Sequence, residues 1–267
     1  MKTILLFITV LCINISCSSP QKEGSSKEAE KNLLVFINDK SQSVHINGAS
    51  IDKQTLWIKR FLHEHQAPNT DIWISTIGSY SANPANGYTI KWKNKFTDNS
   101  KPGENDGFES DEDKMLREVT ERNNYQKVFK AGQKRLLYHL FEKPEKISGQ
   151  TAILELLPAL AAKIRNYEGG TDIVVISDMV QESPYQNMTR GKFPFPDRSY
   201  AEELAVKDWE KLQKDLKCSS DDLAFVKSIT ILVPEAAEEA FLVNVDAYWN
   251  YLFKQMGFEG KAEWSKP

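Results

Sequence analysis

In "FINDKSQSV" (36–44) an apolar run gives way to Asp39, Ser41 and Ser43, one acid and two hydroxyls at alternate positions. These three can project together only if the chain turns sharply just after the run, and "DKSQS" begins where the apolar residues stop. Asp178 closes a second apolar run, "TDIVVISD" (171–178), and Thr151 follows Gly149 in "SGQTAI", at the start of a helical pattern. Five such oxygens suit a hard divalent cation. Mg²⁺ takes about six oxygens near 2.0–2.1 Å and tolerates water among them, and Mn²⁺ and Ca²⁺ draw on the same donors. The set has neither sulfur nor imidazole, which argues against zinc and copper. The competing use for the hydroxyls is to cap turns and the first helix.

The elements around these residues must bring them to one place. "NLLVFIND" (32–39), "TDIVVISD" and "KSITILVP" (227–234) are short, unalternating apolar runs, as expected of parallel strands covered on both faces, and "DIWISTIGS" (71–79) is a fourth candidate. Helical patterns lie between them: 50–66 with Ser50 available as a cap, 115–143 as two helices, 151–166 with Pro158 kinking or dividing it, 200–216, and 243–258. "YTIKWKNKF" (88–96) alternates like an antiparallel edge strand, and 97–114 is acidic, contains Gly and Pro, and reads as a solvated loop insertion. Strands alternating with helices predict a three-layer α/β domain, a doubly wound, mostly parallel sheet with helices on both faces. Ligands of such sheets bind beyond the carboxyl ends of the strands, where Asp39 and Asp178 stand and where the loop carrying Thr151 is expected.

D-x-S-x-S after the first strand, a loop threonine and a later strand ending in Ser-Asp together resemble the von Willebrand factor A domain, over roughly residues 32–258. That resemblance implies the family's metal-ion-dependent adhesion site, with Asp39, Ser41 and Ser43 as its first motif, Thr151 as the loop threonine and Asp178 as the second acid. It also implies a partner protein that presents an Asp or Glu to the metal. The chain departs from the family where Met179 follows Asp178 in place of glycine, and where "VHING" delays a glycine to Gly48. The segment after Asp178 (179–200) carries Tyr185, Phe193, Phe195 and Tyr200, which would serve as a protein-contacting rim. The alternative is a Mg²⁺-dependent phosphotransferase or phosphohydrolase on a doubly wound sheet. Enzymes resembling haloacid dehalogenases need D-x-D, and Ser41 stands where the second acid would be.

A formal charge of −3 lacks the basic footprint of a nucleic-acid binder, which excludes that partner. The front end, "MKTILLFITVLCINISCSS", has Lys2 and then about 13 mostly apolar residues, short for a membrane span and right for a secretion signal. Ser16–Cys17 resembles the lipobox of bacterial lipoproteins, which implies a signal over 1–16, a lipid on Cys17 and a polar tether over 17–31. The expectation is a lipid-anchored, metal-dependent adhesion or scaffold domain of the bacterial envelope, on the outer membrane, touching the membrane through its lipid only. Residues 259–267 read as a tail. Cys218 has no histidine within easy sequence reach and reads as a structural cysteine.

Overall fold

The computed structural model describes residues 31–41, 48–65, 70–78, 87–91, 110–142, 149–235, 237 and 242–267. The signal, Cys17, the tether up to residue 30, Ser43 and most of the acidic insertion lie outside them. At the centre, β1 (Asn32–Asp39) pairs in parallel with β2 (Thr70–Ile77) on one side and with β4 (Thr171–Ile176) on the other. β3 (Tyr88–Lys91) closes one edge antiparallel to β2, while β5 (Val226–Leu232) and the short β6 (Glu263–Ser265) extend the other edge in parallel. The order is therefore β3-β2-β1-β4-β5-β6. The chain builds outward from β1 in one direction and later returns to its other flank, so the topological switch lies between β1 and β4.

Residues alternate across β1 into two cores. Leu33, Val35 and Ile37 pack with α3 (Leu157–Ile164), α4 (Arg198–Asp215) and α5 (Val245–Gln255), whereas Leu34 and Phe36 pack with α1 (Gly48–Glu64) and α2 (Asp111–Phe141). Burial on both faces explains why the strands are apolar without alternation. Each fully buried Leu, Ile or Phe contributes roughly 1.5–3 kcal/mol, so the two cores hold the strand ends, and whatever they carry, in fixed register. Asp39 continues the Leu33–Val35–Ile37 face at the carboxyl end of β1, the first polar residue beyond that core.

The fold is the three-layer, doubly wound one expected, with differences that have physical causes. Residues 115–143 form one helix rather than two; α2 begins inside the expected loop, at Asp111, because Ser110 caps it by accepting from Asp113 N at 3.2 Å. Pro158 divides the 151–166 pattern as expected: a single 3₁₀ turn covers Leu154–Leu156, and α3 starts with the proline in its first turn, where no N–H is needed. Ser50 does not cap α1; it lies inside the helix and is buried. The segment read as a tail supplies β6, whose three residues carry too little pattern to announce a strand. Cys218 is buried, and burial pushes its thiol up to about 11.

Asp208 of α4 is wholly buried, accepting from Tyr248 Oη at 2.8 Å and Lys211 Nζ at 3.2 Å. Burial nevertheless raises its pKa above the ordinary carboxylate value. A pKa raised by folding gives stabilisation that is complete below the unfolded value and is lost as pH climbs through the folded one. Asp208→Asn keeps an acceptor for Tyr248 and cannot ionise. As pH rises above about 4 its urea midpoint should therefore fall less, or rise more, than that of the wild type.

Candidate functional site

The parallel register of β1 and β4 ends at Asn38 opposite Ile176, which sets Asp39 beside Ser177 and leaves Asp178 as the next residue on the rim. Ser177 Oγ donates to Asp39 Oδ2 at 2.7 Å, and Ser41 N donates to Asp39 Oδ1 at 2.8 Å. The second bond is an Asx turn, and it makes the sharp reversal that D-x-S requires. Asp178 Oδ1 accepts from Val180 N at 3.0 Å, turning the chain in the same way after β4. Asp39, Ser41 and Asp178 are all buried, at 2%, 5% and 6% exposure.

Thr151 reaches this rim through the segment that follows Asp178. Its N–H donates to Glu182 O at 2.9 Å, and Glu182 N donates back to Thr151 O at 2.8 Å. Gln181 locks the two segments together. Wholly buried, its Oε1 accepts from Ile153 N at 2.7 Å and Leu154 N at 3.0 Å, and so caps the turn that leads into α3. Its Nε2 donates to Glu155 Oε2 and to Ser183 Oγ, both at 2.9 Å, and Ser183 Oγ also donates to the Glu155 carboxylate. From the other side of the sheet, Asn38 Nδ2 donates to Leu140 O and Lys40 Nζ to Glu142 O, which tie β1 to the C-terminal end of α2.

Of the five residues singled out in the sequence, Asp39, Ser41 and Asp178 meet at the carboxyl rim at the switch between β1 and β4; Thr151 is paired with Glu182, four residues beyond Asp178, and Ser43 lies outside the described residues. Ser177 and Gln181 were not legible as site residues. The first had a signal in the Ser-Asp pair that closes β4, but Gln181 had none, since its role comes from a contact 27 to 28 positions away. Phe195 needs correction. It is 2% exposed and packs in the core, 6.1 Å from the Tyr248 ring and nearly parallel to it, so it cannot offer a surface to a partner. Phe193 meets it edge-on at 5.3 Å, and both Phe193 and Tyr185 are half-buried against the same core. The Tyr185 hydroxyl is buried without a hydrogen-bond partner, and burial pushes its pKa up to about 12. These aromatics pin the loop after Asp178 to α4 and α5.

Met179 explains one departure from the resembled pattern. Its φ is 60°, the left-handed region where a glycine would sit without strain, yet its side chain is wholly buried and its carbonyl accepts from Trp249 Nε1 at 2.7 Å. Met179→Gly would relieve about 1 kcal/mol of backbone strain and lose a core side chain worth about 2–5 kcal/mol. Chemical denaturation should show a net loss of about 1–4 kcal/mol.

The electrostatics bear on what the rim can hold. Asp39 is pushed up to about 6, first by burial and further by the charge of Asp178 nearby, while its hydrogen bonds from Ser41 and Ser177 pull it down. Both donors are neutral, so they orient the carboxylate without balancing its charge. Two buried acids next to each other, with hydroxyls around them, are a donor set that a small divalent cation fits. Among the described residues no group of three or more His, Cys, Asp or Glu side chains could hold a metal. A cation here would therefore rely on two acids and hydroxyl oxygens.

The sequence matches no protein-family model and no curated protein. Among solved structures it is similar to the pilus adhesin SpaC from Lactobacillus rhamnosus GG in its open conformation, at 12% identity and TM-score 0.33, over 58% of this chain and 15% of that one. It is also similar to the SpRpn10 VWA domain, at 12% identity and TM-score 0.37, over 89% and 88% of the two chains. A third similarity is to the human COPII-coat protein Sec24c, at 10% identity and TM-score 0.45, over 89% of this chain and 29% of that one. Among the described residues no helix is long and apolar enough to cross a membrane.

Proposed function

We propose that the chain is a divalent-metal-dependent protein-binding domain, an adhesion or scaffold module held at the bacterial envelope by a lipid on Cys17. Asp39, Ser41, Ser43, Thr151 and Asp178 would hold Mg²⁺, or Mn²⁺ or Ca²⁺. The observation that carries the reading is the meeting of Asp39 and Asp178, from adjacent parallel strands, at the switch point of the sheet, with Thr151 bonded to the segment just beyond Asp178. A cation held by two acids and several neutral hydroxyls keeps more of its charge than one wrapped in carboxylates, and would supply an electrophilic position for a further carboxylate. The residues themselves do the positioning: Ser177 and the Asx turn at Ser41 fix the Asp39 carboxylate, and Gln181 fixes the Thr151 loop.

Titration of Mg²⁺ and Mn²⁺ into the purified protein, with Ser41→Ala as control, tests the site. Capture of proteins from envelope extract with and without chelator tests its use. Metal-dependent capture that Ser41→Ala loses supports the module. Turnover of phosphate esters that depends on Asp39 would overturn it in favour of the phosphotransferase.

A further inference from the structure

Helix α2 carries a basic row in a chain whose net charge is negative. From Arg122 to Phe141 it holds five cations and no acid, whereas the whole chain has 34 cations against 37 acids. Steps of three and four residues place Leu116, Val119, Asn123, Lys127, Lys130 and Lys134 on one side of the helix. All six are exposed, Leu116 at 66% and Val119 at 49%. Leu136, nine positions beyond Lys127 and so half a turn out of phase with it, is buried against the sheet and α1, which turns the row outward. Glu118 and Glu121 stand nine positions before Lys127 and Lys130, on the side away from the row. Glu112 closes the row in the first turn, where an acid suits the helix dipole. Among the described residues no ion pair holds Lys127, Lys130 or Lys134, so their charge faces outward uncompensated.

We propose that this row lies along the surface of an anionic phospholipid bilayer, with the lysines at the phosphates and Leu116 and Val119 among the headgroups, so that more than the lipid meets the membrane. Lysines ranged along one side of a helix suit an anionic headgroup layer. The envelope setting rests on the lipid proposed for Cys17, whereas the contact is a property of α2. The chain from Cys17 to Lys31 spans at most about 50 Å. The outer surface of α2 lies about 15–17 Å from the sheet that begins at Asn32, a helix diameter on half a sheet spacing. The anchor and the row can therefore reach one bilayer. Each lysine at such a surface tightens binding roughly fivefold, and the two apolar side chains together add about tenfold, for a dissociation constant of about 1 mM. That is weak for a free chain and sufficient for one whose lipid holds it at an effective concentration of about a millimolar. The bilayer then covers the α1–α2 face, and the carboxyl rim, at the end of the sheet, stays open to a partner.

Co-sedimentation of the chain from residue 17 onward with phosphatidylglycerol vesicles, in low salt with chelator, tests the contact. Cys17→Ser keeps this protein free of lipid, so the result does not depend on the anchor. It should bind with a dissociation constant of about 1 mM lipid, weaken as salt is raised, and bind phosphatidylcholine vesicles about tenfold more weakly or worse. Lys127→Glu, Lys130→Glu and Lys134→Glu together should cost about tenfold or more. The same charge change made at exposed lysines elsewhere, by Lys207→Glu, Lys214→Glu and Lys254→Glu, should cost less than about threefold. Circular dichroism checks that both triple variants fold. No binding to phosphatidylglycerol, equal binding to phosphatidylcholine, or equal losses in the two triple variants would overturn the proposal. So would poly-glutamate that binds the row as tightly as the vesicles do, which would give this face to an acidic protein. The mass of the mature protein recovered from cells reads the lipid on Cys17 separately, so failure of the anchor and failure of the α2 contact are told apart.

Discussion

Asp39→Ala is expected to erase the stabilisation that Mg²⁺ gives the wild-type chain. At a free metal concentration about one hundred times its dissociation constant, binding to the native state alone adds about 2.7 kcal/mol. For a domain of this size that is a rise in melting temperature of roughly 5–10 °C. The quantity to compare is the shift on adding metal, because Asp39→Ala also breaks the bonds from Ser41 N and Ser177 Oγ and so lowers the metal-free value. Asp39→Asn retains the acceptor oxygen and removes the charge that Asp178 opposes. It should be at least as stable as the wild type without metal at about pH 8, where the wild-type carboxylate is ionised. Both variants should leave the melting curve unmoved by Mg²⁺. A variant that still responds as the wild type does would mean that the cation binds elsewhere.

The features that the sequence made legible and those it hid differ in range. Unalternating runs at 32–39 and 171–178 announced strands buried on both faces, and an acid at the end of each marked the rim, because strand and turn chemistry are local. The register that brings Asp39 beside Ser177 follows from those two runs being neighbours, which the topology supplied. Phe195 looked like a rim aromatic because a loop sequence carries no sign of what lies beneath it; the ring of Tyr248, 53 positions away, turned it inward. Met179 stood where the resembled pattern has glycine, and the structure holds it in the conformation glycine would adopt. The cost of that conformation is offset by burial and by the bond from Trp249, which no local pattern could show.

Gln181→Leu should be strongly damaging although it touches no proposed metal ligand. The amide of Gln181 satisfies two backbone N–H groups with one oxygen and gives its two N–H groups to Glu155 and Ser183. Leucine has a similar volume, so no large cavity forms, but Ile153 N and Leu154 N lose their acceptor. At about 1–3 kcal/mol for each buried unsatisfied group, the loss is about 3–5 kcal/mol. Gln181→Glu separates the two halves of the role: it keeps an acceptor for the backbone and places a second carboxylate against Glu155. Urea midpoints should then order wild type above Gln181→Glu, with Gln181→Leu lowest at acid pH, where a protonated glutamate recovers a donor. The rim should respond too, because Thr151 is held only a few residues from Ile153 by the same pairing of segments. Metal affinity, measured by titration on protein that is still folded, should therefore drop for both variants, although neither alters a ligand. Affinity equal to that of the wild type in folded Gln181→Leu would show that Thr151 is positioned without Gln181.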